Sequence, residues 1–273
     1  MESPKIRKPA VAGTFYPLSA KAIESQIKSF IKAQAGKKEA IACMLPHAGY
    51  MYSGRVAAET LCGIKIKKNI ILLGPNHTGY GAPFSIMSEG IWQTPLGEIK
   101  INSELAKTLL KNSQYLKDDA LAHTYEHSLE VELPILQYFK TDFEIVPIIF
   151  MSDDIGSLKK IGEEIAKAIK DTGSPDSVLI IASSDMTHYE PQAQAEEKDK
   201  QAIEAILSLD EDKLIAKIGQ LSISMCGYAP VTVMIKIAKI LGAKSAELIK
   251  YQTSGDVTGD KDSVVGYAGI TVY

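Results

Sequence analysis

Three of the chain's five histidines stand just beyond the end of an apolar run: Cys43-Met44-Leu45-Pro46-His47, Leu72-Leu73-Gly74-Pro75-Asn76-His77, and Ile181-Ala182-Ser183-Ser184-Asp185-Met186-Thr187-His188. Imidazole is the commonest metal ligand and the usual acid or base near neutral pH. Each histidine alone reads as a loop residue bonded to a backbone carbonyl. Three at equivalent places read as one shared site, although the spacing does not name a metal. Asp185, three residues before His188, suits a carboxylate that accepts the second ring N–H of a histidine; it equally suits an Asx turn or a helix cap.

Cys226 lies in Ser224-Met225-Cys226-Gly227-Tyr228-Ala229-Pro230, ahead of a helical pattern. A thiol near a helix N-terminus is expected to have a lowered pKa, which fits a nucleophile or a metal ligand. Cys43 and Cys62 read as buried fillers. The three cysteines are far apart, with no C-x-x-C pair, and read as reduced thiols. His123 and His127 are four apart and would share a face if that stretch were helical, with Glu130 three beyond His127 on the same side. No His-Glu-x-x-His accompanies them, so a zinc-protease motif is not supported. His127 and Glu130 are expected to wall a pocket. Trp92, the single tryptophan, reads either as another part of that wall or as a packed core aromatic.

The elements that must position these residues are legible as periodicities. Apolar runs rich in Ile and Val at 40–45, 69–73, 84–87, 144–150, 177–182, 247–251 and 264–272 predict strands, several apolar enough to be buried on both faces. Helical patterns fall at 19–33, 54–61, 103–110, 128–139, 155–171, 192–207, 210–218 and 230–241. This alternation predicts an α/β fold, a three-layer α/β/α domain on a mostly parallel sheet; the run at 84–87 and the final strand are candidates for antiparallel pairing. In such sheets the ligand lies in the crevice beyond the carboxyl ends of the strands, where the three histidines fall.

Length and composition bound the rest. A chain of 273 residues with no linker or repeat reads as one domain over 1–273. It buries roughly three quarters of its unfolded surface, so neither a disulfide nor a structural metal is needed for folding. Hydrophobic residues make up 45% and charged residues 23%, a composition that excludes wholesale disorder. No stretch is long and apolar enough for a membrane span. Thirty basic against 33 acidic residues leave no electrostatic footprint for nucleic acid. The first 17 residues lack the apolar core of a signal peptide, which makes the cytoplasm the expected location.

Pro46-His47-Ala48-Gly49-Tyr50, Gly74-Pro75-Asn76-His77, Thr94-Pro95-Leu96-Gly97, Glu126-His127-Ser128-Leu129-Glu130, Ser184-Asp185-Met186-Thr187-His188-Tyr189 and Cys226-Gly227 together resemble the Memo family, whose bacterial and archaeal members are called AmmeMemoRadiSam system protein B. The resemblance runs from Arg7-Lys8-Pro9 to Tyr267-Ala268-Gly269. It implies a fold like that of the class III extradiol dioxygenases. It also implies a metal pocket made by His47, His77 and Cys226, with His188 beside Asp185 at the position of the catalytic histidine. Cysteine in place of the dioxygenases' carboxylate shifts the preference towards copper or a redox-active iron and argues against catechol cleavage. The resemblance further implies a pathway partner of the radical SAM type.

Three functions follow as expectations. One is a metal-dependent oxidoreductase in which His188, oriented by Asp185, moves protons. Another is a binding module for a peptide or protein in the same crevice; phosphotyrosine capture fits poorly, because the chain has only Arg7 and Arg55. The third is a Cys-His hydrolase with Cys226 as nucleophile and His188 as base. The small molecule or peptide recognised is not specified by the sequence.

Overall fold

A computed structural model describes residues 5–31 and 36–273. In chain order the elements are β1 (Ile6–Arg7), α1 (Ala20–Phe30), β2 (Ala42–Leu45), α2 (Gly54–Cys62), β3 (Asn69–Pro75), β4 (Phe84–Ile86), β5 (Ile91–Thr94), β6 (Gly97–Lys100), α3 (Ser103–Asn112) and β7 (Lys117–Asp118). They continue with α4 (Glu132–Phe139), β8 (Glu144–Phe150), α5 (Ile155–Asp171), β9 (Val178–Ser183), β10 (His188–Glu190), α6 (Gln192–Leu207), α7 (Glu211–Leu221), α8 (Tyr228–Leu241), β11 (Ala246–Thr253), α9 (Gly255–Thr258) and β12 (Val264–Val272).

The main sheet runs β10-β12-β2-β9-β3-β8-β4-β7, with β11 also paired to β12. Its centre, β2-β9-β3-β8, is parallel. As the apolar runs predict, β4 and β12 pair antiparallel to their neighbours β8 and β2. The central strands are apolar along their length because helices cover both faces: α1, α2 and α4 pack together on one, and α3, α5 and α8 on the other. This is the expected three-layer α/β architecture. Among the described residues no helix is long and apolar enough to cross a membrane.

Local chemistry sets the helix starts. Ser19, Asn102, Asp154 and Asp210 each accept a backbone N–H of the first turn at α1, α3, α5 and α7. The predicted helix 19–33 ends at Phe30, and its last two positions lie outside the described residues. A small second sheet, β1-β5-β6, is absent from the sequence reading. Its strands, IR, IWQT and GEIK, are two to four residues long and mix charged or polar positions into that span, so they form no apolar run.

Candidate metal centre

The strand order β2-β9-β3 does the gathering. His47 lies two residues past β2 and His77 two past β3, while β9, which lies between those strands, ends at Ser183 and leads into Asp185 and His188. Cys226 arrives from the opposite side, immediately before the Gly227 cap of α8. A Cβ on Gly227 would sit 2.3 Å from the Ser183 carbonyl oxygen, so glycine is what lets the start of α8 close onto the end of β9. One ligand atom from each of His47, His77 and Cys226 lies within 4.8 Å of the others. His47 Nε2 and Cys226 Sγ are 3.4 Å apart.

Each imidazole is held by its far nitrogen. His47 Nδ1 is 2.8 Å from Ser183 Oγ, and its backbone N–H donates to Asp185 Oδ1 at 2.8 Å. His77 Nδ1 is 2.9 Å from Glu126 Oε1, and its backbone N–H donates to the same carboxylate. Glu126 is fully buried and takes a further N–H from Ser128 at 2.8 Å. Burial alone would raise its carboxyl, but His77 and these N–H groups hold it down at about 2. A carboxylate that fixes the outer nitrogen of a metal-facing histidine is a recurrent support for metal ligands. Sequence reasoning missed Glu126 as a site residue; its adjacency to His127 in a polar loop was the available signal.

His127 joins the cluster as expected. Its ring stacks on His77 with centroids 4.6 Å apart and stands edge-on to His47 at 5.6 Å. Burial lowers its pKa, and that of His47 falls further for the same reason. The helical pairing with His123 does not form. His123 ends a separate single-turn helix, Leu121–His123, and is fully buried. The helix predicted from 128 begins only at Glu132, because the segment before it bends around the Glu126 carboxylate.

Two expected wall residues lie elsewhere. Glu130 is fully buried in an ion pair with Arg7, and it accepts the backbone N–H groups of Ala10 and Val11 and the hydroxyl of Tyr16. It fastens the N-terminal segment instead of facing the crevice. Trp92 is also fully buried, with the Arg7 guanidinium 4.4 Å from its ring centroid and His123 edge-on at 5.9 Å. It is the packed core aromatic of the two readings.

Two expectations about chemistry are likewise corrected. The carbonyl of Ser224, 2.9 Å from Nδ1, orients His188, whereas Asp185 is engaged with the backbone of His47. Cys226 does not have a lowered pKa. Burial and the neighbouring Asp185 carboxylate push the thiol well up, outweighing the Asp185 N–H that donates to its sulfur. Its near imidazole is His47, not His188, so the nucleophile-base pair of a Cys-His hydrolase is not formed.

These groups line a crevice of about 500 Å³, walled by Phe15, Tyr52, Val265 and Tyr267, with His188 and Tyr189 at one side. No arginine lines it.

A family profile described as "Memo-like protein" matches residues 7–271. The chain belongs to the Memo family. Relatives named MEMO1 family protein include one from Methanococcoides burtonii, 45% identical over 98% of this chain and 100% of its own length. One from Methanosarcina mazei is 44% identical over 98% and 99%. Among solved structures, an uncharacterized protein of Escherichia coli K12 aligns with a TM-score of 0.56 at 12% identity, covering 84% of this chain and 98% of that one. That likeness concerns the fold alone. In this Memo-family chain the donor set fits a transition metal: two nitrogens and a sulfur converge, and both outer imidazole nitrogens are bonded away from the centre.

Proposed function

We propose that this Memo-family protein binds one iron or copper ion through His47, His77 and Cys226 and is a redox enzyme acting on a small molecule held in the crevice. The observation that carries the reading is the convergence of the three donor atoms within 4.8 Å, with His47 and His77 each anchored from behind. The ion, when bound, supplies Lewis acidity and a one-electron couple, and the cysteine ligand favours the softer, redox-active metals.

The chain's own residues do the rest. The Ser224 carbonyl can only accept, so His188 carries its proton on Nδ1 and its Nε2 is the atom that takes or returns a proton. Asp185, which burial raises to about 6, keeps the His47 backbone in place and adds negative charge near the site above that pH. Phe15, Tyr52 and Tyr267 give the crevice flat apolar walls, suited to excluding water from one side of a bound molecule.

The test is metal analysis of protein grown with iron or copper, together with oxygen consumption in the presence of reductants. Wild type is expected to carry metal, and His47→Ala, His77→Ala and Cys226→Ala to lose it while remaining folded. Equal metal content in all four would defeat the assignment. A second reading, a binding module for a peptide or partner protein, draws on Tyr189, 78% exposed beside the crevice. Peptide binding that is the same in metal-free protein and in His188→Ala, with no turnover of any donor, would favour it.

A further inference from the structure

Ser183 Oγ has three close partners and one proton. The carbonyl oxygen of Ser128 is 2.7 Å away, His47 Nδ1 2.8 Å and Glu132 Oε1 3.1 Å. A hydroxyl donates one hydrogen bond and accepts two. The Ser128 carbonyl only accepts, so the hydroxyl proton is committed to it along the shortest of the three contacts. The other two partners must then donate. For His47 this fixes the proton on Nδ1 and leaves the lone pair of Nε2 facing Cys226 Sγ. For Glu132 it requires a protonated carboxyl.

A second observation points the same way. Glu132 is fully buried on the first turn of α4, and its Oε2 has no hydrogen-bond partner. An unpartnered carbonyl oxygen of a neutral acid is a tolerable burial, whereas an unpartnered oxygen of a carboxylate is far more costly. The titratable groups that face Glu132 from neighbouring elements are Asp185 beyond β9, Cys43 in β2 and Tyr50 ahead of α2, none of them a cation. Burial accordingly pushes the Glu132 carboxyl well above the usual range.

We propose that Glu132 is a positioning residue held as a neutral carboxylic acid: its O–H donates to Ser183 Oγ, so His47 satisfies that oxygen only by donating Nδ1–H and presents Nε2 to the metal centre. An ionised Glu132 would instead draw the Ser183 proton away from Ser128 and set another negative charge behind a centre that already contains Cys226 and Asp185. What the presented lone pair serves rests on the metal-site reading above; the protonation state of Glu132 does not.

The test compares Glu132→Gln, whose amide N–H₂ imitates the neutral acid, with Glu132→Leu, which removes the donor. In metal-free protein at pH 7, the infrared difference between wild type and Glu132→Gln is expected to contain the C=O stretch of a protonated carboxyl. ¹⁵N-histidine spectra of both are expected to show His47 as a single Nδ1–H tautomer. Titration with Co(II) is expected to give Glu132→Gln an affinity within about twofold of wild type and Glu132→Leu one about tenfold weaker. Absence of the carboxyl stretch, or a tenfold loss of Co(II) affinity in Glu132→Gln, would overturn the proposal. Should Glu132→Leu fail to fold, the infrared and nitrogen spectra of the glutamine variant decide alone. If wild type binds no Co(II), the metal reading falls, and those same spectra still decide the state of Glu132.

Discussion

Two ligands of a tetrahedral ion with bonds of about 2.0 and 2.3 Å lie roughly 3.5 Å apart, and His47 Nε2 and Cys226 Sγ already stand at 3.4 Å. The support behind them is as informative as the donors. Replacing Glu126 by glutamine keeps an acceptor near His77 but removes the charge that fixes it, so metal affinity is expected to fall about 10- to 100-fold with the fold intact; chelator competition measures this. Because the Cys226 thiol is raised, it must give up a proton to bind an ion. Affinity should therefore rise about tenfold per pH unit across the neutral range, with one proton released per ion in calorimetry. Asp185 offers a separate test in metal-free protein. Its folded value of about 6 lies above the roughly 3.9 of an unfolded chain. Between the two the folded state holds a proton that the unfolded chain has lost, so this group's contribution is fully present below the lower value and is lost as pH rises through 6. Denaturation at pH 7 and pH 4 should show wild type gaining about 2–3 kcal/mol relative to Asp185→Asn on acidification.

At the scale of elements, the centre depends on how closely segments approach. The N-terminal segment is strapped to the 123–130 loop by Arg7, which ion-pairs with Glu130 and donates to the carbonyls of His123 and Glu126. Removing either partner leaves a buried uncompensated charge. Arg7→Ala or Glu130→Gln should cost about 3–5 kcal/mol in urea denaturation, and Arg7→Met combined with Glu130→Gln less than either alone. Gly227 works at the other side of the site. Its missing Cβ would meet both the Ser183 carbonyl and Ser184, so Gly227→Ala must push the start of α8 away from β9 and carry Cys226 with it. Overpacking of this kind costs about 1–3 kcal/mol, and a coupled loss of metal binding is the expected signature. The strands of the central sheet were legible because burial on both faces demands unbroken Ile and Val runs, as in β3, β8 and β9. The strands β1, β5, β6, β7 and β10 were not, since charged or polar residues interrupt their two to four positions and no apolar run extends beyond them, as it does around the equally short β2 and β4.

For the whole molecule, a ligand that binds only the folded state stabilises it by mass action. Metal at about 100 times its Kd should add about 2.7 kcal/mol in wild type and nothing in Cys226→Ala, which chemical denaturation with and without the ion measures. Acid denaturation and metal release will be linked, because Cys226 takes up a proton when the centre empties and Glu126 takes one up when the chain unfolds in acid.

The alternation of apolar runs and helical patterns was sufficient by itself to specify a three-layer α/β chain; the strand ends grouped His47, His77 and His188, and the ordered motifs, through their resemblance to the Memo family, implied His47, His77 and Cys226 as ligands. Those signals are local or ordered along the chain, so they survive without coordinates. Tertiary structure alone decided that Glu126 and Ser183 brace the imidazoles, that Glu130 and Trp92 belong to the Arg7 strap, and that Asp185 serves His47 while Ser224 serves His188. Each of these depends on which buried polar atom finds a partner tens of residues away, and a hydrogen bond of three ångströms leaves no periodic trace in sequence.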